Sequence, residues 1–201
     1  MSAPIWGKDY DAGYIGFSFG RRSFLSNAIA YFELPECKRG IHVSHTFVVA
    51  GPNDCIEAQP SGVVHSDIES YWVDPDSRIY WHRPKGWTPA MGERIVAAAE
   101  TMVGDKYGFS IIAAHWLTRN PLGTILGAVT CGWTTRRVLG FMERKGEEVC
   151  SEVVAEALRA QPEFKFVSCL NRPAHEITPQ RLFDDLSLWD TLFDDSWMSQ
   201  R

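Results

Sequence analysis

Apolar positions along the chain follow two periodicities, and the switch between them outlines the elements. Residues 14–19, Tyr-Ile-Gly-Phe-Ser-Phe, alternate large apolar with smaller side chains and predict a strand. After the turn Gly20-Arg21-Arg22-Ser23, the residues Phe24, Leu25, Ala28, Ile29 and Phe32 recur at helical spacing, and Pro35 ends that helix. Three β-rich runs follow at 41–50, 55–64 and 77–83, divided by the turn clusters Gly51-Pro52-Asn53-Asp54 and Asp74-Pro75-Asp76. Short connections between consecutive strands favour antiparallel neighbours.

The period then becomes helical. Thr88 suits an N-cap and Pro89 the first helical position; Ile95, Ala99, Met102 and Val103 share one face, and Gly104 is placed to close the helix. Residues 109–148 are rich in Trp, Gly and apolar side chains without a readable period. They are taken as an insertion, with two short helices either side of Asn120-Pro121. A compact helix is predicted over 150–159, its buried stripe Val153, Val154, Ala157 and Leu158, with Pro162 just beyond its end. Thr178-Pro179 opens a last helix, and residues 180–201 run out as an acidic tail. The order strand, helix, strands, helix, helix predicts one α+β domain over 1–201, an antiparallel sheet or small barrel packed against helices.

Composition narrows the function classes. At ~150 residues per domain, 201 residues make a single domain with embellishment. The 45% hydrophobic and 22% charged residues exclude a disordered, collagen-like or coiled-coil chain. A net charge of −5, with only short basic pairs such as Arg21-Arg22 and Arg136-Arg137, argues against a nucleic-acid partner. Residues 1–10 carry Lys8 and Asp9 and no apolar run of export-signal length, which predicts a cytoplasmic protein. The longest apolar stretch, 111–129, is broken by Arg119, Asn120 and Pro121, so no transmembrane segment is expected. Five widely spaced cysteines with no Cys-x-x-Cys pair form neither a disulfide framework nor a zinc ribbon. His65, His82, His115 and His175 lack metal-ligand spacing, and neither a metal nor another cofactor is expected.

One cysteine stands apart. Cys150 occupies the first turn of an amphipathic helix, where unpaired backbone N–H groups and the helix dipole favour a thiolate. The Cys150 and Ser151 amides there can also receive an oxyanion, so one helix start supplies both nucleophile and oxyanion site. The plainer alternative is a packed cysteine with Ser151 as N-cap. A thiol nucleophile needs a base and a group to orient it. His45 heads the apolar strand Thr46-Phe47-Val48-Val49, and the next run carries Glu57, a carboxylate able to fix an imidazole tautomer. His42 is the competing base, three residues earlier and on the opposite face of the strand.

Several runs together, in this order, resemble the circularly permuted NlpC-type papain-like cysteine hydrolases, the YiiX-like group. They are Gly13-Tyr14-Ile15-Gly16-Phe17 with Ser23-Phe24-Leu25-Ser26, Val43-Ser44-His45-Thr46-Phe47-Val48-Val49, Ile56-Glu57-Ala58-Gln59-Pro60-Ser61-Gly62-Val63-Val64, Ile79-Tyr80-Trp81-His82-Arg83-Pro84, Gly104-Asp105-Lys106-Tyr107-Gly108, Cys150-Ser151-Glu152-Val153-Val154 and Ile177-Thr178-Pro179. In that group the histidine strand precedes the cysteine helix, as His45, Glu57 and Cys150 do in this chain. The resemblance implies a permuted papain-like fold with Cys150 as nucleophile, His45 as base, Glu57 as the orienting third member and Tyr107 as a polar residue near the site. It also implies a cysteine hydrolase that cleaves an amide bond (peptide, cell-wall peptide or N-acyl) or an ester through an acyl-enzyme; with no export signal read in the chain, a cell-wall substrate would need another route, as in a phage-encoded, virion-associated protein. Two alternatives accompany it: a lipid-directed acyltransferase or deacylase using the same triad, with 111–129 lining an acyl groove, and a catalytically idle papain-like binding or virion module. The partners expected are accordingly a small peptide, amide or lipid-like substrate.

Overall fold

The computed structural model describes residues 4–20, 40–59, 61–73, 77–107, 147–148 and 150–190. The helix expected at 24–32, nearly all of the 109–148 stretch and residues 191–201 lie outside the described residues. Strands β1 (Ile15–Gly20), β2 (His45–Gly51), β3 (Asp54–Gln59), β4 (Gly62–Asp67) and β5 (Ser77–His82) form one sheet in the order β4-β3-β2-β1-β5. Every neighbouring pair in it is antiparallel, and the short connections of β2–β3 and β3–β4 account for those two pairs. The architecture is thus α+β, an antiparallel sheet packed against helices. One reading of the sequence is corrected: the run 55–64 is not a single strand but the β3–β4 hairpin, which turns before Gly62, whose φ of 127° a side chain would oppose.

Both faces of the sheet are covered, which is why the central strand β2 reads as almost continuously apolar. One face, carrying Ile15, Phe17, Val48, Ile56 and Tyr80, packs on the helical layer. That layer consists of α2 (Pro89–Glu100), α3 (Cys150–Arg159) and α4 (Pro179–Asp184); α1 (Glu69–Val73) is a short helix between β4 and β5. The alternate residues Phe47, Val49, Cys55 and Trp81 face an aromatic layer that includes Trp6, Tyr10, Tyr71 and Trp87. Tyr10 stacks on Trp81 there with centroids 4.7 Å apart.

The helix termini follow local chemistry. Thr88 caps α2 by accepting from the Met91 N–H at 3.2 Å, and Thr178 caps α4 by accepting from the Arg181 N–H at 3.1 Å. The first ends at Glu100, and Gly104 lies in the turn beyond it rather than at its cap. Within α2, Gly92 lets the backbone approach the loop before β1, because a Cβ there would stand 2.2 Å from the Ala12 carbonyl oxygen. Gln161 joins α2 to α3, accepting from Arg94 Nε at 3.1 Å and donating to the Ala157 carbonyl at 3.0 Å. Of the stretch expected to be a tail, Gln180, Leu182 and Phe183 are buried in α4, and Leu188 and Trp189 are buried just beyond it.

Two strands of two residues complete the fold. β6 (Lys106–Tyr107) and β7 (Glu147–Glu148) pair in parallel, with Tyr107 level with Glu148. Just before β6, the Gly104 N–H bonds the Val63 carbonyl and the Val63 N–H bonds the Asp105 carbonyl, at 2.9 and 2.8 Å. This small ladder therefore borders β4 and brings the chain to within two residues of Cys150.

Candidate active site

His45 is the first residue of β2, and the segment leading into it is fixed from the helical layer. Gln180 of α4, fully buried, donates to the Ile41 carbonyl at 3.0 Å and accepts from the Val43 N–H at 3.1 Å. An amide side chain that serves one donor and one acceptor of the same stretch acts as a short piece of strand pairing and fixes its register. His42 falls in this segment, before the strand begins. The expectation that it would occupy the opposite face of β2 gives way to a position outside β2.

Ladder register brings the acid to the histidine. Val48 pairs with Ile56, so one step along the ladder sets Phe47 level with Glu57, and His45 shares their face two residues further on. His45 Nε2 is hydrogen-bonded to Glu57 Oε2, with 2% of the Glu57 side chain exposed and 23% of His45. The carboxylate receives two further donors. The Tyr71 hydroxyl donates to the same Oε2, and Gln59 Nε2 donates to Oε1 at 2.7 Å and to Ser66 Oγ at 2.9 Å. A buried carboxylate needs such partners, because an isolated charge in low dielectric is strongly disfavoured.

Cys150 is the first residue of α3, which packs across β2 and β3, and its side chain is 4% exposed. Cys150 is one of the two groups, with Glu57, that act on the imidazole to raise it. Since Nε2 is committed to Glu57, the ring nitrogen left for the thiol is Nδ1. Burial by itself would push His45 down; the Cys150 charge and hydrogen bond, then the Glu57 hydrogen bond and charge, outweigh it and raise the imidazole to about 10. Burial would raise Glu57, but the His45 hydrogen bond and charge, with help from Ser66 and Tyr71, hold it down at about 2. The cluster at neutral pH is therefore an imidazolium between a carboxylate and a sulfur.

Ser151 is buried in a way that revises one expectation. Its hydroxyl donates to the Ile177 carbonyl at 2.6 Å, tying the helix start to the segment before α4 instead of capping α3. The amides of the first turn of α3 remain without intrahelical acceptors, as at any helix start. Tyr107 is placed by its backbone in β6, level with Glu148; its side chain lies outside the described residues.

Sequence reasoning missed Gln59 and Tyr71. Gln59 carried a usable signal, since it lies two residues from Glu57 on one strand and so on the same face. Tyr71 carried none: it sits in Glu-Ser-Tyr-Trp-Val between two strands, and only the fold of α1 brings it over the sheet. Among the described residues no group of three His, Cys, Asp or Glu side chains is placed to hold a metal ion, and no helix is long and apolar enough to cross a membrane. In comparisons with family models, curated proteins and solved structures, nothing matches this chain.

Proposed function

We propose that this chain is a cysteine hydrolase of permuted papain-like fold that cleaves an amide or ester bond through an acyl-enzyme on Cys150. The observation that carries this reading is the meeting of three elements: a cysteine on a helix start, a histidine on the first residue of a strand, and a buried carboxylate that holds the histidine's far nitrogen. Their order along the chain, histidine, acid, cysteine, is the one the resemblance implies.

In this mechanism the Cys150 proton already rests on His45, and the thiolate sulfur of that ion pair attacks the substrate carbonyl carbon. The carbonyl π electrons move onto oxygen, and the first-turn amides of α3 stabilise that oxyanion. Collapse expels the amine or alkoxide, which leaves with the proton from His45, and a thioester remains on Cys150. A water molecule then gives its proton to His45 and attacks the thioester, releasing a carboxylic acid and restoring the thiol. Glu57 keeps the imidazole in one orientation and balances its charge.

The test uses a small activated ester, p-nitrophenyl acetate, as acyl donor. Rapid quenching and mass spectrometry are expected to find one acetyl group on the peptide containing Cys150, and the Cys150→Ala protein is expected to carry none. Acetylation that is unchanged in Cys150→Ala would remove the nucleophile from the reading.

A further inference from the structure

Tyr71 belongs to no part of the mechanism above, yet it touches two members of the cluster. Its hydroxyl donates to Glu57 Oε2, the oxygen already bonded to His45 Nε2. Its ring stacks on the imidazole with centroids 6.0 Å apart and planes 15° apart, and on Phe47 with centroids 4.8 Å apart and planes 23° apart. Phe47 in turn lies over β1 at Gly16, where a Cβ would stand 2.2 Å from the phenylalanine ring. The short helix that carries Tyr71 is tied down at its start: the Ile68 N–H bonds the Asn53 carbonyl at 3.2 Å, and the Ser70 hydroxyl bonds the Asp67 carbonyl at 2.8 Å. A tyrosine packed and bonded in this way has one orientation.

We propose that Tyr71 is a positioning residue whose hydroxyl shares the Glu57 oxygen held by His45 and so limits how tightly the carboxylate grips the imidazole proton. This inference rests on the reading of His45 and Glu57 as a working pair. Two donors on one carboxylate oxygen compete, since each withdraws electron density that the other would use. When the imidazole is charged it satisfies most of the oxygen's demand; when it is neutral the phenol bond strengthens. The phenol therefore favours the neutral histidine relative to a site without it, and eases proton delivery to a leaving group.

The phenol itself stays protonated, because burial, then the Glu57 charge and hydrogen bond, push it well above its ordinary value. The groups facing His45 are Cys150 from α3, Glu57 from β3 and Tyr71 from α1; those on Glu57 include Gln59 from β3 and Ser66 from β4. Gln59 holds Oε1, so loss of the tyrosine hydroxyl leaves the carboxylate aimed at the histidine.

The experiment follows the His45 ring by nitrogen-15 NMR across pH in three full-length proteins: wild type, Tyr71→Phe, and one with a site-specific fluorotyrosine at position 71. Tyr71→Phe keeps the ring stack and removes one donor, and its His45 titration is expected to move to higher pH by roughly half a unit or more. Fluorotyrosine is a stronger donor, and is expected to move it to lower pH. An unchanged or lowered titration in Tyr71→Phe overturns the proposal, and so does an upward shift with fluorotyrosine, which serves alone should Tyr71→Phe fail to fold. Iodoacetamide alkylation of Cys150 in the same samples separates this from the parent reading: a thiol no faster than free cysteine removes the hydrolase, whereas the His45 titration still decides the role of Tyr71.

Discussion

Strand β3 supplies a carboxylate to each of its neighbours, and the two resulting histidine–acid pairs differ in what they leave available. On β2, His45 gives Nε2 to Glu57, which leaves its other nitrogen uncommitted, and Cys150 acts on the same ring. On β4, His65 uses both nitrogens, Nδ1 to Asp54 at 2.9 Å and Nε2 to Glu100 of α2 at 3.2 Å. The second cluster is open to water, its three side chains 41%, 44% and 45% exposed, whereas Glu57 is buried. A histidine with both nitrogens occupied has no position from which to pass a proton to a third group. What sets the two sites apart is thus less a histidine next to an acid than burial and one nitrogen left for a partner.

The largest contrast is at sulfur. With iodoacetamide near neutral pH, Cys150 is expected to be the first described cysteine labelled, and Cys150→Ala to lose that label entirely. Cys55 and Cys169 are buried, and burial together with nearby carboxylates pushes both thiols well above their ordinary value. They are expected to stay unlabelled on the same timescale. Early labelling of Cys55 or Cys169 with Cys150 untouched, read by peptide mass mapping, would reverse the comparison.

Next in size is the exchange of the two histidines. His45→Ala is expected to slow alkylation of Cys150 by ~100-fold or more, the usual worth of a positioned acid–base group. His65→Ala is expected to leave the rate within about twofold, since an exposed pair contributes little at a distance. Comparable losses in the two variants would mean that burial of the pair has no bearing on the thiol.

How far the sequence disclosed this contrast depends on the residue. The helix over 150–159 was legible in full, because its apolar stripe runs from a polar start to a basic last turn at Arg159. Pairing of His45 with Glu57 followed from alternation on neighbouring strands. Asp54 was read as a turn residue, since Gly51-Pro52-Asn53 precedes it, but it begins β3 and is therefore aimed at His65 across the hairpin. The β3–β4 hairpin itself was hidden, because the apolar Cys55, Ile56 and Ala58 before the turn and Val63 and Val64 after it make the run look like one strand. Tyr71 reaches the cluster, and Gln180 the segment leading into His45, through tertiary packing of α1 and α4, which no local periodicity encodes.

The acids differ next. Glu57→Gln removes the charge that helps hold His45 at about 10, so the His45 titration is expected to fall by roughly one to two units. Asp54→Asn is expected to leave it in place. The stability sign for Glu57 follows from its own depression: a carboxyl at about 2 when folded, against 4.5 for the free group, contributes stability above 4.5 that is lost as pH falls from there through 2. Acid unfolding of Glu57→Gln, followed by circular dichroism, is expected to lack that part of the pH dependence. A His45 curve that moves with Asp54→Asn and ignores Glu57→Gln would exchange the roles of the two acids.

The smallest effect belongs to His65 and concerns stability alone. Its imidazole is raised first by the Asp54 hydrogen bond and then, against some desolvation, by Glu100 and the two charges. A raised histidine stabilises the fold fully below its unfolded value of 6.5, and that contribution fades as pH rises through the folded value. All three partners are more than a third exposed, so water and salt screen the pair and its worth is about 1 kcal/mol at most. His65→Gln is therefore expected to lower the urea midpoint slightly at pH 5.5, with the gap to wild type closing by pH 9 and shrinking in high salt. A gap that widens toward pH 9 would mean that His65 is stabilising as the neutral ring, and the two histidine sites would then differ in the sign of their charge as well as in burial.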